Sequence, residues 1–168
     1  PSLQRAMPHQ LDALKLEDDK GATINLADWQ RATYTDGLLV LHKGAIVYQK
    51  TYSGMAAHQP HSLWSMSKSF TGLLATMLVK EGVIDPGALV STYLPELKDS
   101  AWADATVQQT LDMTTGVAYS ENFRDPNSGI FQYLHAAGLL PAPPTYPGPR
   151  TIPELLVTIK KQGEHGAG

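Results

Sequence analysis

Two residues in this sequence, Ser65 and Lys68, stand at a spacing that can do chemistry. They open the run Ser65-Met-Ser-Lys-Ser-Phe-Thr-Gly-Leu-Leu-Ala-Thr-Met-Leu-Val79, which predicts a buried helix. Residues three apart share a helix face, so an amine at 68 reaches a hydroxyl at 65. An amine that takes the serine proton supplies the base a hydroxyl nucleophile requires. The positive end of the helix dipole stabilises the alkoxide as it develops. The chemistry on offer is nucleophilic attack by serine.

A plainer reading uses the same residues. Serine is favoured at helix N-caps, and a first-turn lysine can be a solvated charge. Two features weigh against it. A lysine in the first turn opposes the helix dipole, where capping alone would favour Asp or Glu. The helix that follows is apolar nearly all round (Phe70, Leu73, Leu74, Met77, Leu78, Val79), the mark of a buried helix, and a lysine at its mouth needs a reason. Four residues alone leave both readings open.

The elements that must position this pair are legible in outline. Residues 36–42, a Lys43-Gly44 turn and residues 45–52 form the best β-hairpin signal in the chain. The first arm is almost continuously apolar, which predicts cover on both faces. A loop over 53–63 leads to the Ser65 helix, which Gly82 ends as a C′ residue. Residues 83–87 make a turn. Thr106 caps a short helix reaching Met113, stopped by Thr114-Thr-Gly116. Residues 126–150, with five prolines between 141 and 149, read as an irregular, lid-like excursion. Thr151 caps a last helix with a cationic final turn at Lys160 and Lys161. Residues 163–168 read as turn material, and residues 1–35 as a weakly patterned extension in which Leu11, Leu14 and Leu16 mark a short helix.

Composition narrows the partners. A chain of 168 residues with 42% hydrophobic and 17% charged residues has the size and core of an ordinary domain. A formal net charge of -3 leaves no basic footprint for nucleic acid. No apolar run reaches the ~18 residues that span a bilayer. The absence of cysteine excludes disulfides and thiolate metal sites. The six histidines (His9, His42, His58, His61, His135, His165) show no metal-ligand spacing, so neither metal nor cofactor is expected. The compartment is left open, since an export signal can be removed before Pro1.

Several blocks in order resemble the serine β-lactamase-like hydrolases, on the branch of class C β-lactamases and family VIII esterases. The likeness is nearest to the 6-aminohexanoate-dimer hydrolases, which cleave nylon oligomers. Residues 36–44 and 45–52 look like the opening strands, and Leu63-Trp-Ser-Met-Ser-Lys-Ser-Phe-Thr-Gly72 like the nucleophile helix. Residues 81–96 resemble the turn after that helix, and Thr106-Val-Gln-Gln-Thr-Leu-Asp-Met-Thr-Thr-Gly116 its helix-to-loop signature. Five ordered blocks are far more specific than one Ser-x-x-Lys match.

The resemblance implies an α/β fold of the α+β type, β-lactamase/transpeptidase-like, with an antiparallel sheet, helices on both of its faces and a helical region. Residues 1–35 would be an extension, 36–52 the N-terminal hairpin of the sheet, and 53–168 the nucleophile helix with its helical and loop region. It implies that Ser65 is the acylated nucleophile and Lys68 its proton partner. Tyr119 matches a tyrosine that helps bind substrate, and Glu121 lies beside it; a loop-pinning tyrosine and a solvated acid are the alternatives. Ser120-Glu-Asn122 mimics the Ser-Asp-Asn element of another branch and reads as chance.

The family pattern also includes a tyrosine–asparagine motif supplying a general base, and a C-terminal Lys/His-x-Gly strand donating an oxyanion N–H. No residue up to Gly168 matches either, and Tyr133 and Tyr146 stand in the wrong context. The expectation is therefore an N-terminal part of a longer hydrolase, inactive alone, whose partners are its own C-terminal remainder and a small linear amide or ester. A 6-aminohexanoate oligomer is the best single substrate guess. An esterase, DD-peptidase or true β-lactamase is the rival within the family, and a non-turning-over penicillin-binding-like sensor the rival outside catalysis.

Overall fold

Residues 2–6 and 10–167 are described by the computed structural model, which divides into two units, Pro1–Leu63 and Trp64–Gly168. His9 lies outside the described residues.

The first unit begins with a short strand β1 (Gln4–Arg5) and a 3₁₀ turn over Gln10–Ala13. Strands β2 (Lys15–Glu17) and β3 (Thr23–Asn25) pair antiparallel, and helix α1 (Leu26–Ala32) follows. The helix expected around Leu11–Leu16 is thus corrected, because Leu16 sits in β2. The Asp18 carboxylate accepts from the N–H groups of Lys20 and Ala22 and closes the β2–β3 turn. Such local side-chain bonds outcompete a weak helical spacing. Helix α1 has its own cap, with Asn25 Oδ1 accepting from the Asp28 N–H at 2.9 Å.

Strands β4 (Gly37–His42) and β5 (Ala45–Thr51) form the hairpin where its pattern predicts it. Lys43 and Gly44 both take positive φ, 48° and 78°, the geometry of a turn whose twist matches the strands. Strand β1 joins the other edge of β5 in parallel, giving the order β1-β5-β4. Tyr48 is buried, and its hydroxyl meets that of Tyr52 at 2.7 Å. Cover on both faces of β4 does not occur within the described residues. Leu38 and Val40 are partly buried, whereas Leu39 and Leu41 are 53% and 52% exposed. An apolar run records which residues favour burial, and carries no information on whether this stretch of chain supplies the cover.

The loop after β5 is tied back to the start of β4. His61 Nε2 lies 3.0 Å from Asp36 Oδ2, and its Nδ1 lies 3.0 Å from the Ser62 carbonyl. Both partners are acceptors, so the ring satisfies both only as the imidazolium. The hydrogen bond to the Asp36 side chain is the main cause that raises the His61 pKa above its ordinary value.

The second unit opens with a 3₁₀ turn over Trp64–Met66 that runs into helix α2 (Ser67–Lys80). Glu81 caps its C-terminus and Gly82 follows at φ 74°, as its sequence predicts. Helices α3 (Val90–Tyr93) and α4 (Val107–Leu111) flank a small core of Val90, Leu97 and Ala105, against which Trp102 and Leu156 pack. Thr106 and Gln109 form a full capping box at the start of α4.

Two expectations fail over residues 126–161. The stretch 126–150 contains helix α5 (Gly129–Ala136), so its irregular part is shorter than predicted. The buried Ser128 preceding it spends its hydroxyl on the Asn122 carbonyl at 2.8 Å, fixing the approach to the helix. Helix α6 (Ile152–Thr158) begins at the predicted Thr151 cap but stops before the lysines. Lys161 instead bridges to Val117 and forms an ion pair with Asp104.

Helix α2 corrects the prediction of burial. Its small side, with Gly72, Thr76 and Val79, lines a cleft of about 230 Å³ with Gln108, Leu111 and Asp112. Its large apolar side chains are open, and Phe70, Leu73 and Leu74 are each about 60% exposed. Fully burying such a side chain contributes roughly 1.5–3 kcal/mol, a gain the described residues leave unrealised on this face.

The segment 160–166 is not free turn material. The N–H groups of Gln162 and Gly163 donate to the Gly116 carbonyl at 2.8 and 3.0 Å, and the Ala118 N–H donates to the Lys160 carbonyl at 2.7 Å. A Cβ at Gly116 would lie 2.2 Å from the Gly163 carbonyl oxygen. Gly116→Ala is therefore expected to lose about 1–3 kcal/mol of stability, with faster amide exchange at Gln162 and Gly163; an unchanged melting temperature contradicts this packing. A second prediction concerns pH. His61 should titrate above 6.5 by NMR and return toward it in Asp36→Asn. Because the folded pKa is the raised one, the pair's contribution is complete below the unfolded value and disappears as pH rises through the folded value.

Candidate active site

Ser65 stands in the 3₁₀ turn, two residues before α2. The N-cap of α2 is Met66, with no side-chain cap bond, so the Ser65 hydroxyl is not engaged in capping. It accepts a hydrogen bond from the Lys68 ammonium, Nζ to Oγ, at 3.0 Å. The capping alternative therefore has no geometric basis, while the predicted reach from 68 to 65 exists. Both side chains are exposed.

The turn that presents Ser65 is strained. Trp64 takes φ 46°, a left-handed conformation that bulky residues rarely adopt. Its cost is of order 1–3 kcal/mol, and such residues cluster where geometry is held for function. Nothing in the residue type foretold it.

Tyr119 and Glu121 lie further along the same unit, and neither hydrogen-bonds Ser65 or Lys68 among the described residues. The Tyr119 ring rests on the backbone at the start of α5, where a Cβ on Gly129 would come within 2.6 Å of it. Burial is the main cause that raises the phenol's pKa, with the Glu121 and Tyr133 charges adding to it. A phenol held in its protonated form can donate a hydrogen bond to a bound acceptor. Glu121 is an exposed loop acid. Gly129 was missed in the sequence because a glycine opening a helix reads as a loop residue. Among the described residues, no group of three or more histidine or carboxylate side chains is placed to hold a metal ion, and no helix is long and apolar enough to cross a membrane.

The sequence matches the β-lactamase family over residues 15–151. It is 37% identical over 106 residues to a 6-aminohexanoate-dimer hydrolase of Paenarthrobacter ureafaciens, a match covering 63% of this chain and 27% of that protein. It is 30% identical over 87 residues to a β-lactamase of Providencia stuartii, covering 52% of this chain and 23% of that one. A solved structure from Bacillus anthracis, whose assignment as a 6-aminohexanoate-dimer hydrolase is itself provisional, superposes with a TM-score of 0.83 at 29% identity. That superposition covers 99% of this chain and 44% of the other, so this chain spans less than half the length of each of these three relatives. The mixed helices and sheets are those of a β-lactamase/transpeptidase-like fold.

The Tyr119 seat is open to test. Gly129→Ala should displace the ring and bring the phenol's titration back toward 10.0, followed by absorbance against pH; an unmoved titration curve contradicts the contact.

Proposed function

This chain belongs to the β-lactamase family, and we propose that it carries the nucleophilic half of a serine hydrolase in which Ser65 is acylated and Lys68 exchanges its proton. The observation that carries this reading is the 3.0 Å line from Lys68 Nζ to Ser65 Oγ at the mouth of α2. That distance lies inside the roughly 2.6–3.2 Å reach of general acid–base catalysis. As drawn, the ammonium donates to the hydroxyl; when the amine is neutral, the same line carries the serine proton to nitrogen. Ser65 then attacks the carbonyl carbon, the carbonyl π pair moves to oxygen, and collapse of the adduct expels the amine or alcohol with a proton. Water then attacks the acyl carbon, and collapse breaks the bond to Oγ, releasing the carboxylic acid and returning a proton to Ser65. The N–H of Ser65 and the N-terminal dipole of α2 stabilise the oxyanion.

The substrate class proposed is a small linear amide or ester, with a 6-aminohexanoate oligomer as the leading candidate. Its support is the 37% identity to the Paenarthrobacter ureafaciens protein. Tyr119, with its phenol kept protonated, would donate to the substrate, and the exposed Glu121 would meet a cationic end group. The exposed face of Phe70, Leu73, Leu74 and Met77 supports a role for the protein's remainder in covering α2 and completing the site with a general base.

The test is intact mass of the full-length protein after incubation with a fluorophosphonate. A single adduct is expected that is absent in Ser65→Ala and forms ~10²–10⁴ times more slowly in Lys68→Ala. An adduct that persists in Ser65→Ala defeats the proposal, as does Ser65→Ala with undiminished turnover and only the ~1 kcal/mol loss of a cap. Side-by-side rates on nitrocefin, p-nitrophenyl butyrate and the linear amide dimer decide between β-lactamase, esterase and amidase.

A further inference from the structure

His165 is buried, with only 2% of its side chain exposed, and both ring nitrogens have partners. The Gly116 N–H donates to Nδ1 at 2.9 Å, so Nδ1 carries the lone pair. The ring proton is then on Nε2, which lies 3.0 Å from the Ala101 carbonyl and 3.2 Å from Asp104 Oδ1. This defines a neutral imidazole in a single tautomer. The His165 carbonyl accepts from Gln109 Nε2 at 3.1 Å, and Gln109 is also the capping-box residue of α4. One side chain and its backbone therefore join the 101–104 turn, the loop after α4, and α4 itself.

What lies downstream of that anchor is Tyr119. Gly116 is held by His165, and Ala118 by the Lys160 carbonyl, so the loop is fixed to within one residue of the phenol-bearing position. Packing alone would be served by an apolar side chain. The ring does more than pack, because Nδ1 is the acceptor of the partly buried Gly116 N–H, and losing it would leave that donor unsatisfied.

We propose that His165 is a positioning residue for substrate binding, acting through Gly116 on the placement of Tyr119. The inference rests on the reading that Tyr119 meets the substrate. Its charged surroundings are Asp104, the Lys161 ammonium paired with Asp104, and Glu164, whose Oε2 is 3.9 Å from Lys161; the 114–116 loop presents only backbone, and α4 the neutral Gln109. The contact with Gly116 requires the lone pair on Nδ1, since an N–H there would set donor against donor.

Two substitutions separate positioning from simple anchoring. In His165→Asn the amide oxygen falls where Nδ1 stood and can accept from Gly116. In His165→Gln the amide reaches the Nε2 side and leaves Gly116 without its acceptor. In the full-length protein, with the linear 6-aminohexanoate dimer as substrate, H165N should keep KM within about twofold, and H165Q should raise it about tenfold, less than the ~10²-fold that a 1 Å misplacement can cost. Fluorophosphonate labelling of Ser65 should proceed at the wild-type rate in both. NMR supplies a readout that needs no turnover. Nitrogen shifts should show the Nε2–H tautomer, and Tyr119 ring resonances should move in H165Q but not in H165N. Equal effects of the two variants on KM and on Tyr119, unmoved Tyr119 resonances in H165Q, or the opposite tautomer would overturn the proposal. Failure of Ser65 to label in the wild type would instead sink the nucleophile assignment, with the NMR result standing by itself.

Discussion

The organisation of the second unit turns on a close approach of two backbones at Gly116 and Gly163. Where a Cβ would sit 2.2 Å from a carbonyl oxygen, only glycine fits. That contact lets residues 160–166 lie along the loop after α4 and saturate its peptide groups. It also delivers a buried imidazole to the Gly116 N–H and a lysine to Asp104. Hydrogen bonds formed in this way replace water on otherwise exposed loop backbone, and they matter more here because the core of Val90, Leu97 and Ala105 is small. The loop that carries Tyr119 takes its position from this docking rather than from any helix or strand of its own.

The Ser65–Lys68 pair depends on a different constraint. A serine inside a regular helix would turn with the helix, whereas here a 3₁₀ turn and a left-handed Trp64 set the hydroxyl just ahead of α2. Lys68 then reaches back one turn, along the direction in which helical side chains lean. Its positive charge is unfavourable beside the helix N-terminus, and the bond to Ser65 holds the exposed ammonium there. Helix α2 meanwhile divides its faces by size. Small residues line the cleft toward α4, and large apolar ones stand open. A helix built this way gets little of its stability from the neighbours described.

Local signals were readable wherever chemistry within a few residues decides the outcome. The Lys43-Gly44 turn, the Gly82 stop, the Thr106 and Thr151 caps and the Ser65–Lys68 reach all depend on neighbours at most four positions away. Helix α5 was hidden by the prolines that follow it, and the β2–β3 pair by an apolar spacing that the Asp18 turn overrides. The burial predicted for β4 and α2 shows the opposite error. Hydrophobicity states a demand for cover, and which segment meets that demand is a long-range property.

By itself, then, the amino-acid order determined the hairpin, the helix boundaries set by caps and glycine, and the placing of an amine one turn from a hydroxyl. Each follows from short-range sterics and hydrogen bonding. Only the tertiary structure decided that Ser65 stands in a turn ahead of α2 without capping it, that Tyr119 rests on Gly129, and that His165 is a buried neutral ring bound to Gly116. Those outcomes join residues up to 49 positions apart. No local preference encodes such a meeting, because it exists only once the intervening chain has paid the entropy of closing its loop.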